Sequence, residues 1–341
     1  MAFPHPALGH AGGLTKTYQP LSEYVKRPEW INHGSDKEFT MPIKTRHYRS
    51  PEDYQLVDHF LSEHYQPGNQ DGNWIEPAWE YMHGHPFLDS SALGKIGIWE
   101  DDGKIVAIAH YESQLGEAFF QFHPGYKHLI QEILDYAEGN LHSVSNKDGR
   151  KFLRAYVNDS EVEFLSLVMA QGYTRDAEGD RPMARFVIPD SFPPICLPEG
   201  FRLKSLAEDC NWSKVNRVLW RGFNHVGEPP TGDGQLEERK KMFDTPTAQR
   251  DLKIIVKAPN GDFVSLCGMF YEPIHHFAYV EPVATDPAYR RLGLGKAAVL
   301  EGIRRCGALG ATVAFVGSDQ EFYLSLGFEV IYTSQCWVKY F

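Results

Sequence analysis

The chain has 341 residues, of which 42% are apolar and 13% aromatic, and carries a formal net charge of −11. That length exceeds what one hydrophobic core usually serves and predicts two domains, and the apolar share excludes a largely disordered chain. The acidic balance argues against general nucleic-acid binding, and no apolar run approaches the roughly 20 residues needed to span a bilayer.

Residues 1–40, rich in Pro, Gly and His, show no sustained periodicity and read as an N-terminal extension, ordered only if it packs on the body. The opening MAFPHPALGHAGG lacks the basic stretch and apolar core of a secretory signal. A first domain is expected over residues 41–190. Ile43–Arg49 reads as a strand, with Ser50 capping a helix that runs to Tyr65. After an aromatic segment from Trp74 to Tyr81, strands Lys95–Glu100 and Ile105–Tyr111 flank Asp101-Asp102-Gly103, a hairpin signal. Strand Ala118–Phe122, helix Tyr126–Glu138, strand Phe152–Val157, helix Glu161–Ala170 and strand Met183–Ile188 complete it.

Pro189–Pro198 holds four prolines in ten residues, and residues 191–199 read as a linker. The same element order then recurs over residues 200–341. Phe201–Ser205 is a strand, Asn211–Phe223 and Leu236–Phe243 are helices, and Leu252–Lys257 and Phe263–Tyr271 flank the Asn260-Gly261 turn. Strand Phe277–Thr285, helix Leu294–Leu309, strand Thr312–Val316, a short helix Glu321–Leu326 and terminal strands within Glu329–Lys339 follow. The repeat predicts a duplicated α/β fold. All five cysteines (Cys196, Cys210, Cys267, Cys306, Cys336) lie in the second half, odd in number and far apart. That is neither a disulfide framework nor a metal-ligand spacing, and it predicts a cytoplasmic protein.

The chemistry concentrates in Glu281 to Lys296, EPVATDPAYRRLGLGK. An apolar strand runs into an Asp286-Pro287 turn, and a glycine-spaced basic segment opens a long helix. The first turn of a helix offers unpaired N–H groups and the positive end of the macrodipole, so it attracts phosphates. Gly293 and Gly295 leave room for a pyrophosphate, and Arg290, Arg291 and Lys296 add positive charge at the mouth. No Gly-Lys-Ser/Thr is present, so this is not a Walker loop, and a third glycine at dinucleotide spacing is missing.

Arg290-x-x-Gly293-x-Gly295 after a strand resembles the acetyl-CoA loop of the GNAT N-acetyltransferases, and Glu321-Phe-Tyr-Leu-Ser-Leu-Gly-Phe328 is similar to that family's Phe-Tyr helix ending in Gly-Phe. The resemblance covers residues 200–341, and the repeated element order extends it to residues 43–188 as a tandem architecture with a degenerate first copy, each copy a mixed α/β sheet domain. It implies acetyl-CoA as donor. Arg290, Arg291, Leu292, Gly293, Leu294, Gly295 and Lys296 would hold the pyrophosphate, and the backbone of Val283, Ala284 and Thr285 would pair with the pantetheine arm. Tyr323 would protonate the departing thiolate, and Ser318 would touch the pantetheine or Tyr323. A small-molecule amine would be the acceptor, with the protein a monomer or homodimer; a non-catalytic acyl-CoA-binding module or transfer of a longer acyl group are the alternatives.

The amine must lose a proton before it attacks. Glu281, two residues before Val283 and so on the same strand face, is the candidate base, with a structural carboxylate the competing reading. His275 and His276 are a weaker option, and no third ligand at metal spacing accompanies them, so no metal is expected. In this fold acceptor selectivity usually comes from the first two helices and their connection, which points to His225 and Glu228, while Trp220 reads as core. Laying the two copies together at Asp286-Pro287 and His123-Pro124 sets Ile130 against Gly293 and Glu132 against Gly295, and matching Gly327 to Gly172 sets Val168 against Tyr323. A branched side chain, a carboxylate and a lost acid predict that the first copy holds no donor. It is left to pack against the second and to wall its substrate cleft, with Trp74, Trp79, Tyr81, His83 and His85 as candidate contributors.

Overall fold

A computed structural model describes residues 42–69, 71–230 and 232–341; the expected N-terminal extension lies outside them. The first half runs β1 (Lys44–His47), α1 (Tyr54–Glu63), α2 (Glu76–Gly84), β2 (Gly97–Asp101), β3 (Lys104–His110), β4 (Glu117–Phe122) and α3 (Ile130–Asn140). It continues with β5 (Ser143–Val144), β6 (Lys151–Asn158), α4 (Val162–Ala170), β7 (Thr174–Arg175) and β8 (Arg181–Val187). The second half runs β9 (Arg202–Ser205), α5 (Trp212–Gly222), α6 (Asp233–Lys241), β10 (Lys253–Lys257), β11 (Phe263–Glu272) and β12 (Phe277–Thr285). α7 (Leu294–Ala308), β13 (Val313–Val316), α8 (Glu321–Leu324) and β14 (Glu329–Tyr340) end it.

Local chemistry accounts for most of these boundaries. Asp102 (φ 48°) and Gly103 (φ 74°) adopt the left-handed conformations that a two-residue hairpin between β2 and β3 demands. The Asn211 side chain accepts from the Lys214 amide and caps α5, whose Val215, Val218 and Leu219 recur at helical spacing on the buried face. Two expectations are corrected. α1 starts at Tyr54, not after Ser50, because Asp53 folds back on Arg49 and its fully buried carboxylate accepts from the Arg49 amide at 2.7 Å and from Arg46 at 2.6 Å. The terminal strands are one strand of 12 residues, β14.

Among the described residues the strands form one sheet in the order β1-β2-β3-β4-β6-β14-β8-β13-β12-β11-β10-β9, with β5 on β6 and β7 on β14. The centre of that order is an exchange. β14, the last strand of the second half, pairs antiparallel with β6 of the first from Ser334↔Asn158 to Tyr340↔Phe152. β8, the last strand of the first half, pairs with β13 of the second from Val313↔Val187 to Val316↔Ala184. β8 and β14 also pair with each other, so neither half contains its own final strand.

Each half has one parallel junction, and each opens. β4 and β6 are in register at Glu117↔Arg154 and Ala118↔Ala155, and β12 and β13 from Phe277↔Val313 to Tyr279↔Phe315. Beyond those points the strands diverge and leave a wedge bordered by backbone edges. In the second half a bulge in β12 accompanies the divergence, with Glu281 and Pro282 opposite the single residue Gly268 of β11, where an added Cβ would lie 2.2 Å from the Glu281 carbonyl oxygen, so only glycine fits.

Candidate active site

The second wedge opens into a cleft of about 820 Å³. Its strand wall follows the two-residue period. Glu281, Val283 and Thr285 of β12 face the cleft, while Pro282 and Ala284 are buried on the other side. Ala284 packs with α5, so it can offer a ligand only its main chain, and its carbonyl already accepts from the Ser265 hydroxyl at 3.1 Å.

The opposite wall begins at the N-terminus of α7. Arg291 (φ 64°) and Gly293 (φ 78°) are left-handed, so the chain from Arg290 to Lys296 curls over the first helical turn and its amides can converge on one anion. The two glycines serve different needs. Gly293 supplies the positive φ, with nothing within 4 Å of an added Cβ; at Gly295 a Cβ would press on Thr285 Oγ1 at 3.0 Å and the Phe322 ring at 3.4 Å. Arg291 and Lys296 line the mouth and make no ion pair among the described residues. Arg290 has another task. Its guanidinium donates to the Thr285 carbonyl (3.2 Å), the Gly222 carbonyl (2.8 Å) and Asn224 Oδ1 (2.9 Å), which ties the loop to β12 and to the end of α5. A second tie runs alongside, from Arg221 to the nearly fully buried Asp286 carboxylate at 2.6 Å. Leu292 is half-exposed outside the cleft, and Leu294 anchors the turn in the core.

Two titratable groups of the cleft act on each other. Burial, and then the Glu281 charge, push the Tyr323 hydroxyl far above its ordinary value, so it stays protonated. Burial, and then the nearby Glu112, push the Glu281 carboxyl up to about 7, against which the Tyr81 hydroxyl donates a hydrogen bond that lowers it. Ser318 lines the same cleft just past β13, and its hydroxyl accepts from the Gln320 amide at 3.2 Å.

The cleft thus gathers Glu281, Val283, Thr285, Arg290, Arg291, Gly293, Leu294, Gly295, Lys296, Ser318 and Tyr323. His225 and Glu228 stand outside its lining, both exposed; Glu228 pairs with Arg217 at 3.4 Å and Arg221 at 3.8 Å. Trp220 is not core: half-buried, it donates to the Gly227 carbonyl at 3.0 Å and lies against His225. His275 and His276 sit at the β11–β12 turn, His275 bonded to the Ser62 carbonyl and His276 to the Tyr271 hydroxyl. Tyr81, Glu112 and Arg181, the groups that act on Glu281, come from the first half and carry no local motif that would single them out. Of the aromatic and histidine cluster, Tyr81 touches Glu281, whereas Trp79 and His83 pack on one another and on Tyr54.

The first half closes its own wedge from within. Asn73 bridges Phe122, accepting from its amide at 2.8 Å and donating to its carbonyl at 2.9 Å, and Gln121 accepts from the Trp74 amide at 2.6 Å. Phe119 and Tyr156 stack at 4.4 Å across the gap, leaving about 250 Å³. Lys127 and Glu161 form an ion pair beside that space, Ile130 packs on the first-half core, and Val168 is fully buried where the second half has Tyr323. Glu132 does not act as expected, because its carboxylate accepts from Thr45 Oγ1 (2.8 Å) and Trp99 Nε1 (2.7 Å), away from the helix mouth. The Asn73 segment, and not Glu132, borders the space left in the first-half wedge.

No helix among the described residues is long and apolar enough to cross a membrane, and no cluster of three or more His, Cys, Asp or Glu there could hold a metal ion. A search of curated proteins gives no match. Solved structures with the same fold include a GCN5-related N-acetyltransferase from Sphaerobacter thermophilus (18% identity, TM-score 0.53, 87% of this chain and 95% of that one). A tandem GNAT protein from the clavulanic acid biosynthesis pathway is similar over 87% of this chain and 98% of its own, at 13% identity and TM-score 0.56. Residues 214–328 match the model of the acetyltransferase (GNAT) family, an acyltransferase family, and they contain the whole of the Arg290–Lys296 loop and Tyr323. The chain as a whole therefore has the fold of two GNAT units in tandem, joined by exchanged strands, and its second half carries the segment that matches the GNAT acetyltransferase family.

Proposed function

We propose that the protein transfers an acetyl group from acetyl-CoA to a primary amine of a small molecule by direct attack of the amine on the thioester. The observation that carries this reading is one cleft lined by a half-buried carboxyl near neutrality, a protonated phenol and the N-terminus of a helix. The loop from Arg290 to Lys296 would take the pyrophosphate, with Arg291 and Lys296 adding charge. The β12 edge beyond Tyr279, unpaired by β13, would hydrogen-bond the pantetheine amides.

The chemistry closes on these two side chains. The acceptor ammonium gives one proton to Glu281 and becomes a free amine. Its lone pair forms the C–N bond, and the C–S bond breaks as the carbonyl re-forms. Tyr323 gives its proton to the departing sulfur and regains one from the acylated nitrogen. The net products are an amide, free CoA thiol and one proton passed to solvent through Glu281.

Release of CoA thiol in the presence of an amine panel tests the reading directly. Tyr323→Phe should lower kcat about 10²–10⁴-fold while the dissociation constant for acetyl-CoA stays within about threefold. Equal turnover by the variant, or no thiol release with any amine despite tight acetyl-CoA binding, would overturn it.

A further inference from the structure

Glu281 faces two spaces. One is the donor cleft; the other is a cavity of about 130 Å³ between the halves, lined by Trp74, Glu112, Arg181, Tyr279 and Tyr332. Gly317 borders both as well. The cavity leads outward through Arg181, Pro182 and Gly317 to a vestibule of about 370 Å³ that carries Glu178, Asp180 and Asp319. A passage that ends on the candidate base, lined by Glu112 and Arg181 and not by the Arg290–Lys296 loop, has the topology of an acceptor entrance.

Its chemistry is anionic. Around Glu281 stand Glu112 and, behind it, the buried Glu117, whose Oε2 has no hydrogen-bond partner. These three carboxylates have Arg181 in common, 3.4 Å from Glu112, and Arg154 beside Glu117. Arg154 is itself drawn to Asp176, and Arg181 lies over the Tyr156 ring. In the vestibule Asp180 is held by Arg175, while Glu178 and Asp319 have no ion pair among the described residues. The aromatic faces of Trp74 and Tyr279 suit an ammonium with an aliphatic stem. The space of about 130 Å³ suits the slender end of an acceptor that extends on into the vestibule.

Resting on the transferase reading above, we propose that this cavity is the acceptor subsite and that its substrate class is a short linear aliphatic diamine, with the reacting nitrogen at Glu281 and the distal ammonium at Glu112. The first half then sets acceptor specificity although it holds no donor. A single amine would leave Glu112 and its neighbours under-neutralised; a second positive charge completes the set, and the vestibule acids draw such a substrate inward.

The experiment compares 1,4-diaminobutane, n-butylamine and 4-aminobutyrate in the thiol-release assay, and measures binding of the diamine to the CoA-loaded protein by calorimetry. The diamine should exceed the monoamine at least tenfold in kcat/KM, and Glu112→Gln should collapse that ratio to within about twofold, chiefly through KM. Diamine binding should weaken in Glu112→Gln by a similar factor. Equal use of diamine and monoamine, preference for 4-aminobutyrate with Arg181 as its carboxylate partner, or a ratio untouched by Glu112→Gln would each overturn the subsite. The two readings separate cleanly: Glu112-dependent diamine binding without thiol release removes the transferase and keeps the subsite, whereas thiol release from all amines alike does the reverse.

Discussion

Burial raises Glu281 to about 7, and the facing charge of Glu112 adds to the rise. Only the carboxylate form can accept a proton, so kcat/KM should climb with pH through about 7 and fall away below it. The sign of the Glu112 contribution gives a second check. Removing a like charge favours ionisation of Glu281, so in Glu112→Gln the acidic limb should move to lower pH, and in Tyr81→Phe, which loses a hydrogen bond to the ionised form, to higher pH. A pH–rate profile for wild type and both variants reads the two shifts; movement in the same direction would show that Glu281 is not the titrating group. Strand periodicity alone sets Glu281 and Val283 on one face, and both line the cleft. Tyr81 and Glu112 are not legible in this way, because what brings them to Glu281 is the packing of one half on the other, and nothing local marks either residue.

At the scale of elements, α7 presents its amides to the cleft only if the β12–α7 connection is held in place, and two arginines hold it. Arg221 grips the buried Asp286, whose other oxygen accepts from the Ala288 amide at 3.0 Å, and Arg290 grips Gly222, Asn224 and Thr285. Neither guanidinium is left to act mainly as a phosphate ligand. Arg221→Ala should strand a buried carboxylate and cost about 1–3 kcal/mol of stability, while weakening acetyl-CoA binding without touching the acceptor KM. Thermal denaturation and equilibrium binding of acetyl-CoA measure the two effects, and an unchanged donor affinity would remove Arg221 from loop positioning. Gly293→Glu should be harsher, because it puts a side chain at φ 78° and a negative charge in the anion site; loss of donor binding of at least 100-fold is expected from titration. The glycine spacing was legible because left-handed backbone and helix-start geometry are local properties. Glu132 was misread for the converse reason: its position in the first turn of α3 was correct, but Trp99 and Thr45, distant in sequence, decide where its carboxylate points.

For the whole molecule, element order was legible and strand exchange was not. Hydrophobic alternation marks β8 and β14 as strands, yet it says nothing about which edge each will join, and both edges offer apolar partners. The consequence is physical. With β14 inserted between β6 and β8, and β8 carried on β13, neither half can complete its sheet alone, so the two should unfold in one transition although the proline-rich segment between them looks like a domain linker. Phe192 and Leu197 of that segment pack against the second-half core, but no strand pairing runs through it. A protease site inserted between Pro193 and Pro194 should therefore give two fragments that co-elute under native conditions, retain acetyl-CoA binding and melt together within a few degrees of the intact chain. Calorimetry and size exclusion of the nicked protein are the measurements. Fragments that separate, or a second-half fragment that folds and binds donor by itself, would mean that the seven-pair ladder between β6 and β14 contributes little to cohesion. The separately produced fragments should instead expose open sheet edges at β6 and β13 and aggregate, because an unpaired interior strand is a template for any other chain.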